Sequence, residues 1–205
     1  MPASGLERYE WVALTTLARV KAKLDPSSQD DGQDAVLTQL IDEVSAQFAA
    51  YLQVHTLQKT RDEVHRLRPK TRIVTLDARP IIGDAMVFHG ATQTAAANGT
   101  TPLDASCYFV RDQSGWIELT PPMTAATYFL VQYTGGLGTD AASAAANAPD
   151  IADAADLQVA YRYKRQGNPG GNVTSLAGGG TQYDSQYGLL KEVKRVLAPY
   201  ARNWL

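Results

Sequence analysis

Cysteine is nearly absent from this 205-residue chain, where Cys107 stands alone. An intramolecular disulfide is thereby excluded. With only three histidines, His55, His65 and His89, scattered along the chain, a structural zinc site has no ligand set. A surplus of one charge is missing too. Nineteen Lys and Arg stand against 21 Asp and Glu, a net −2, which excludes a generic polybasic nucleic-acid binder but leaves room for a local basic patch. No stretch approaches the roughly 20 apolar residues of a membrane span, and the opening MPASGLERYEW holds no apolar signal region. What remains is 44% apolar and 20% charged, a globular composition in a chain long enough for one domain, or one plus an insertion. A soluble protein made and used in a reducing cytoplasm is the expectation.

The first part reads as helical. In LTTLARVKAKLD, Leu17, Val20 and Leu24 share a face, with Thr15 or Thr16 placed to cap the start. After the polar loop DPSSQDDGQD comes the longest stripe in the chain: Leu37, Ile41, Val44, Phe48, Tyr51 or Leu52, and His55 at helical spacing. A short loop between two such helices makes them antiparallel neighbours. The segment TRDEVHRLRPKTR mixes charges of both signs and reads as a solvated connection.

The middle reads as strands. TRIVTL and DAMVFHG alternate, and SCYFVRDQSGWIEL is a hairpin whose Asp112 and Gly115 suit the first and last positions of a type I turn. TYFLVQY is β-branched and aromatic, and Gly135-Gly136 ends it. These strands suggest one small antiparallel sheet, with ATQTAAANGTTP as an exposed, mobile loop and Tyr108, Phe109, Trp116, Tyr128 and Phe129 as core aromatics without accompanying Lys or Arg.

Helical texture returns after the Ala-rich linker GTDAASAAANAPD. A helix starting near Asp150 or Asp153 turns Ile151, Ala154, Ala155, Leu157 or Gln158, and Tyr161 inward as far as Gln166. Gly167 to Gly180 holds six glycines and reads as a flexible tether. The last segment is amphipathic and locally basic. Leu189, Val193, Leu197, Tyr200 and Trp204 form its apolar side, Lys191, Lys194, Arg195 and Arg202 its cationic side, and Leu205 ends it. Such a tail wants a partner surface. The fold expected is α+β: a small antiparallel helical core, an inserted antiparallel β region and a tethered amphipathic C-terminal helix. Its boundaries fall at 1–70 for the first helical part, 71–136 for the β insertion, 137–166 for the linker and third core helix, 167–182 for the tether and 183–205 for a docking segment.

Chemistry is hard to find. Aligning Gly32 with the glycine of a calcium loop puts Ser27, Gln29 and Asp31 at the first ligand positions but Thr38 where a bidentate Glu is needed, so that register fails. The glycine cluster near 167–180 has no Walker lysine and no preceding strand. No nucleophile elbow is present, and His55, at a core-facing position, reads as a packing residue. No catalytic residue, metal or cofactor is expected.

The ordered set of local strings does resemble a known family. LTTLARVKAKLD with its acidic loop, AVLTQLIDEVSAQFAAYL, LDARPI, SGWIELT, YFLVQYTGGL and PDIADAADLQVAYRYKR, spanning about residues 12–166, are similar to the tailed-phage head–tail connector (adaptor, or head-completion) proteins. The resemblance implies a non-enzymatic homo-oligomeric ring, typically of twelve subunits, made in the host bacterial cytoplasm and located in the virion neck. Its partners would be the portal protein above and a neck or tail-completion protein below, with genomic DNA passing through the channel unread and no membrane involved. The C-terminal segment would dock on the portal or on a neighbouring subunit through Lys191, Lys194, Arg195, Leu197, Tyr200, Arg202, Trp204 and Leu205. Two alternatives stand beside it. One is a small enzyme or ligand-binding protein built around His55, His65 or Asp and Glu side chains. The other is a tail-terminator or stopper protein, for which a mainly β fold is expected.

Overall fold

A computed structural model describes residues 9–24, 31–99, 102–121, 127–166, 173–175, 181–183 and 188–201. The architecture is α+β and divides into two compact units, a helical one of Met1–Gln53 with Asp140–Leu205 and a β unit of Val54–Thr139. The β unit thus begins earlier than position 71.

In the helical unit, α1 (Leu17–Leu24) starts where Thr16 Oγ1 accepts the Arg19 N–H at 3.4 Å. The stripe of α2 (Asp34–Leu52) is buried from Leu37 to Leu52, and Val44, Phe48 and Ala49 are wholly enclosed. That helix stops at Leu52 rather than reaching His55. Gln53 turns left-handed (φ 57) and donates its N–H to the Ala49 carbonyl, the usual way a helix is closed, here by glutamine instead of glycine. The Ala-rich stretch expected as a linker is a helix, α4 (Ala141–Asn147), because alanine is the best helix former and Asp140 with Ser143 makes a reciprocal capping box. Next comes α5 (Pro149–Gln166), which opens on proline and buries a face of alanines with Ile151, Asp156, Gln158 and Val159. Those small side chains make α5 the hub, in contact with α1, α2, α4 and α6 (Lys191–Leu197). Within the stretch expected as a tether, β7 (Val173–Ser175) pairs antiparallel with β8 (Thr181–Tyr183).

Two three-stranded antiparallel sheets, not one, form the β unit. The first has the order β1 (Lys59–Leu67), β6 (Thr127–Gly135), β3 (Ile81–Gly90); the second has β2 (Ile73–Thr75), β5 (Trp116–Leu119), β4 (Tyr108–Arg111). One core serves both, with Leu76, Val87, Ile117, Leu119, Phe129 and Tyr133 among its members. The β4–β5 hairpin forms as expected, with Gly115 at φ 66 donating to the Asp112 carbonyl at 3.3 Å and, more closely, to the Arg111 carbonyl at 2.9 Å. The charged segment expected as a connection is instead β1, paired along its whole length with β6. Its inward positions are Arg61, Glu63, His65 and Leu67, so the alternation was there without being apolar.

The loop expected to be exposed after β3 carries α3 (Gln93–Ala97), whose Ala96 is fully buried against Phe88 and Leu130. Gly90 permits that approach, since a Cβ there would lie 2.4 Å from the Ala96 nitrogen. Between β1 and β2 a tight turn runs from Arg68 to Thr71, closed by the Thr71 N–H on the Arg68 carbonyl at 3.1 Å. Pro69 takes its second position and Lys70, at φ 71, its third, where a non-glycine residue costs roughly 1–2 kcal/mol.

Candidate functional site

The residues expected to meet a partner lie mainly on α6 and just after it. The chain enters α6 through a clamp: fully buried Gln158 donates from Nε2 to the Gly188 carbonyl (3.2 Å) and accepts the Leu190 N–H at Oε1 (3.0 Å). Leu190 precedes the helix without any side-chain cap, so Gln158 supplies the fixing that the local sequence lacks. Leu157, its apolar neighbour, points outward and is 39% exposed.

Val193 and Leu197 are fully buried, and α6 packs on α5. Leu197, expected on a partner surface, is thus covered by its own chain in this structure. Lys191, Lys194 and Arg195 project from the opposite side and are exposed. Beyond the helix the Tyr200 hydroxyl donates to Asp150 Oδ2 at 2.5 Å. That hydrogen bond, with partial burial and the carboxylate's charge, pushes the Tyr200 phenol up to about 12. Arg202, Trp204 and Leu205 lie outside the described residues.

The helical unit is also pinned by buried polar groups. Asp156 accepts from the Thr15 hydroxyl and from Arg19 Nε and Nη2 (3.2 and 2.9 Å), while Arg19 also reaches Asp153 at 2.6 Å. Despite the desolvation that opposes it, this pair of carboxylates raises the Arg19 pKa above its ordinary value.

In the β unit the three histidines do not converge on a reactive arrangement. His55 donates its backbone N–H to the Asp77 carbonyl at 2.8 Å and forms a β-bridge with Ala78. His65 and His89 flank Phe129 in one cross-strand row, and the His89 ring meets Phe129 edge-on at 6.4 Å. His65 Nε2 lies 3.2 Å from Glu63.

Beside this core the partly buried Glu63 gathers several polar bonds. It accepts the Tyr133 hydroxyl and the Asp77 N–H, the latter at 3.1 Å from each oxygen, while the Tyr133 oxygen accepts the Ala78 N–H at 2.9 Å. Burial, then the Glu63 charge, raises the Tyr133 phenol far above its normal range. The Asp77 and Ala78 N–H bonds tie that backbone to the sheet, and the Tyr133–Glu63 bond joins their two acceptors. Among the described residues, no group of three or more His, Cys, Asp or Glu is placed to hold a metal ion.

The aromatics divide. Phe129 is fully buried, but Phe109 on edge strand β4 is 56% exposed, with the Arg111 guanidinium 4.5 Å from its ring centroid. Arg66 likewise lies 5.9 Å over Tyr128. The sheet aromatics therefore do have arginine company, contrary to expectation: Arg66 meets Tyr128 across strands, and Arg111 lies two positions from Phe109 on β4 itself. No helix of the described residues is long and apolar enough to cross a membrane.

No known family profile and no curated protein matches this sequence. Solved structures do. A chain in the neck of an empty gene transfer agent particle, computed with C6 symmetry, superposes with a TM-score of 0.54 at 16% identity, covering 94% of this chain and 91% of that one. Chains in the virion of the native particle and in its neck computed with C12 symmetry give 0.49 each, at 15% and 16% identity, over 94% and 95% of this chain and 91% and 96% of theirs. At such identity the first of these establishes a shared fold, extending over nearly the whole chain.

Proposed function

We propose that this protein is a structural component of the neck of a phage or phage-like particle, a head–tail connector subunit without catalytic activity. The observation that carries the reading is the whole-chain fold shared with a neck component, helical unit and β unit together. The independent likeness of its ordered sequence strings to connector proteins supports it. In this role the chain closes into a ring, of twelve subunits on the family pattern, below a portal and above the next neck or tail-completion protein, and DNA passes through. Near-balanced charge suits a wall along which DNA must slide, since dense cations grip phosphate through counterion release.

The exposed cations of α6, Lys191, Lys194 and Arg195, are the portion of the C-terminal segment offered to an acidic portal surface, with Tyr200, Arg202, Trp204 and Leu205 continuing from them. Such charges orient docking and speed encounter more than they add affinity. An enzyme built on His65 and Glu63 is disfavoured by the anchoring duty that already occupies Glu63.

The test is electron microscopy of particles with and without the gene. The expected outcome is a ring at the head–tail junction in complete particles, and DNA-filled heads unjoined to tails when the gene is deleted. Complete tailed particles that lack the protein would overturn the reading. Reversing Lys191, Lys194 and Arg195 to Glu leaves the fold intact and slows portal association severalfold at low salt; an unchanged rate would move the portal contact elsewhere.

A further inference from the structure

The β unit carries a concentration of positive charge that the neck reading does not use. Arg66, Arg68, Lys70 and Arg72 occupy alternate positions over seven residues, with no acid between Glu63 and Asp77. They are four of the eight Lys and Arg in Val54–Thr139, which also holds seven acids. All four side chains are exposed. All seven acids lie among the described residues, yet the ion pairs they make go elsewhere, as Glu118 does to Arg111 and Glu63 to His65. Among the described residues the only side-chain hydrogen bond, ion pair or ring contact of the four is that of Arg66 with the Tyr128 ring.

The backbone supplies a second, independent observation. Lys70 holds a left-handed conformation (φ 71) at the third position of its turn, where glycine or asparagine fits without strain. A charged residue kept against its backbone preference directs attention to what its side chain does.

We infer that the Arg66–Arg72 turn binds the phosphate backbone of duplex DNA without reading its sequence. Protein partners are held by clustered apolar or aromatic anchors, whereas here Leu67 is turned into the core and the exposed Val64 and Ile73 stand singly outside the run of cations. Arginine, lysine and the Thr71 hydroxyl are the groups that contact phosphate and set position without specifying sequence. The charge balance of the rest of the unit keeps the contact local and weak. The inference stands on this turn alone, so it fails or holds independently of the neck reading.

The experiment is fluorescence anisotropy of the full chain with two short DNA duplexes of unrelated sequence, titrated at several salt concentrations. Both duplexes should bind alike. Four phosphate contacts predict a logarithmic salt slope of about −3.6, a loss on the order of a hundredfold between 50 and 200 mM salt. Lys70→Gly should reduce the slope by about 0.9 while its melting temperature stays equal to or above that of the parent chain. Arg68→Gln/Lys70→Gly/Arg72→Gln should leave a slope of about −1. Unchanged duplex affinity in the triple variant overturns the proposal. So does binding of poly-glutamate as tight as that of duplex, which would mark the turn as a site for an acidic protein. A lowered melting temperature in Lys70→Gly would also overturn it, by removing the argument from the strained backbone.

Discussion

The helical unit and the β unit both bury polar side chains, and they use them differently. In the helical unit the polar groups are dispersed. Ser45 Oγ accepts the Leu14 N–H at 3.0 Å, Asp156 takes Thr15 and Arg19, and Gln158 takes the backbone at 188 and 190. Two of these serve the irregular chain leading into α1 and α6. In the β unit one carboxylate, Glu63, together with the Tyr133 hydroxyl, does the same for the buried backbone at 77–78. The rule is common: a buried N–H outside regular structure must find a side chain. The difference is that helices spread the duty over several weak points, whereas the sheet concentrates it in one.

The largest effects test whether the two units are separable. Phe48→Ala in α2 and Phe129→Ala in β6 remove wholly buried rings and should each destabilise by about 3–5 kcal/mol. Hydrogen exchange should show lost protection in the helical unit for the first and in the β unit for the second; equal loss in both units would erase the distinction. Glu63→Gln should cost about 1–3 kcal/mol, because one amide oxygen replaces a charged acceptor of several bonds. Faster exchange at Asp77 is the expected signature, and an unaltered unfolding midpoint would show the cluster to be ornamental.

Gln158→Leu should cost about 1–2 kcal/mol, with its effect confined to 188–200, where exchange protection falls while α2 keeps its own. Loss spread across all the helices would mean that the dispersed points are not independent. The smallest effect is at Tyr200. Its phenol, ordinarily ionising near 10, is held at about 12 by Asp150, so the contact stabilises fully below pH 10 and fades as pH rises toward 12. The difference in melting midpoint between the parent and Tyr200→Phe should therefore be present at pH 9 and vanish by pH 12; a difference independent of pH would reject the bond to Asp150.

Legibility followed hydrophobic contrast. The α2 stripe, the β4–β5 hairpin with its Gly115 and the inward alanines of α5 were readable because apolar spacing repeats the backbone's own period. Strand β1 was not, since its inward row of Arg61, Glu63 and His65 is polar and looks like solvent-facing charge. Helix α4 was obscured by alanine, which forms helix well yet gives little amphipathic signal. The amphipathic tail was visible, but its seat on α5 was not, because nothing near Leu190 announces that Gln158 will receive it.

The amino-acid sequence by itself determined the α2 and α5 helices, where the β4–β5 hairpin turns, and how charge gathers at Arg66–Arg72, because these depend on residues a few positions apart. Only the tertiary structure decided that Gln158 lies inside and Leu157 outside, that Leu197 packs on its own chain, and that Glu63 anchors the backbone at Asp77. The Glu63 and Gln158 outcomes rest on groups 14 and 32 positions apart finding one another. A polar side chain is worth burying only when its distant partner is in place, and that condition is met by the assembled fold rather than by any local pattern.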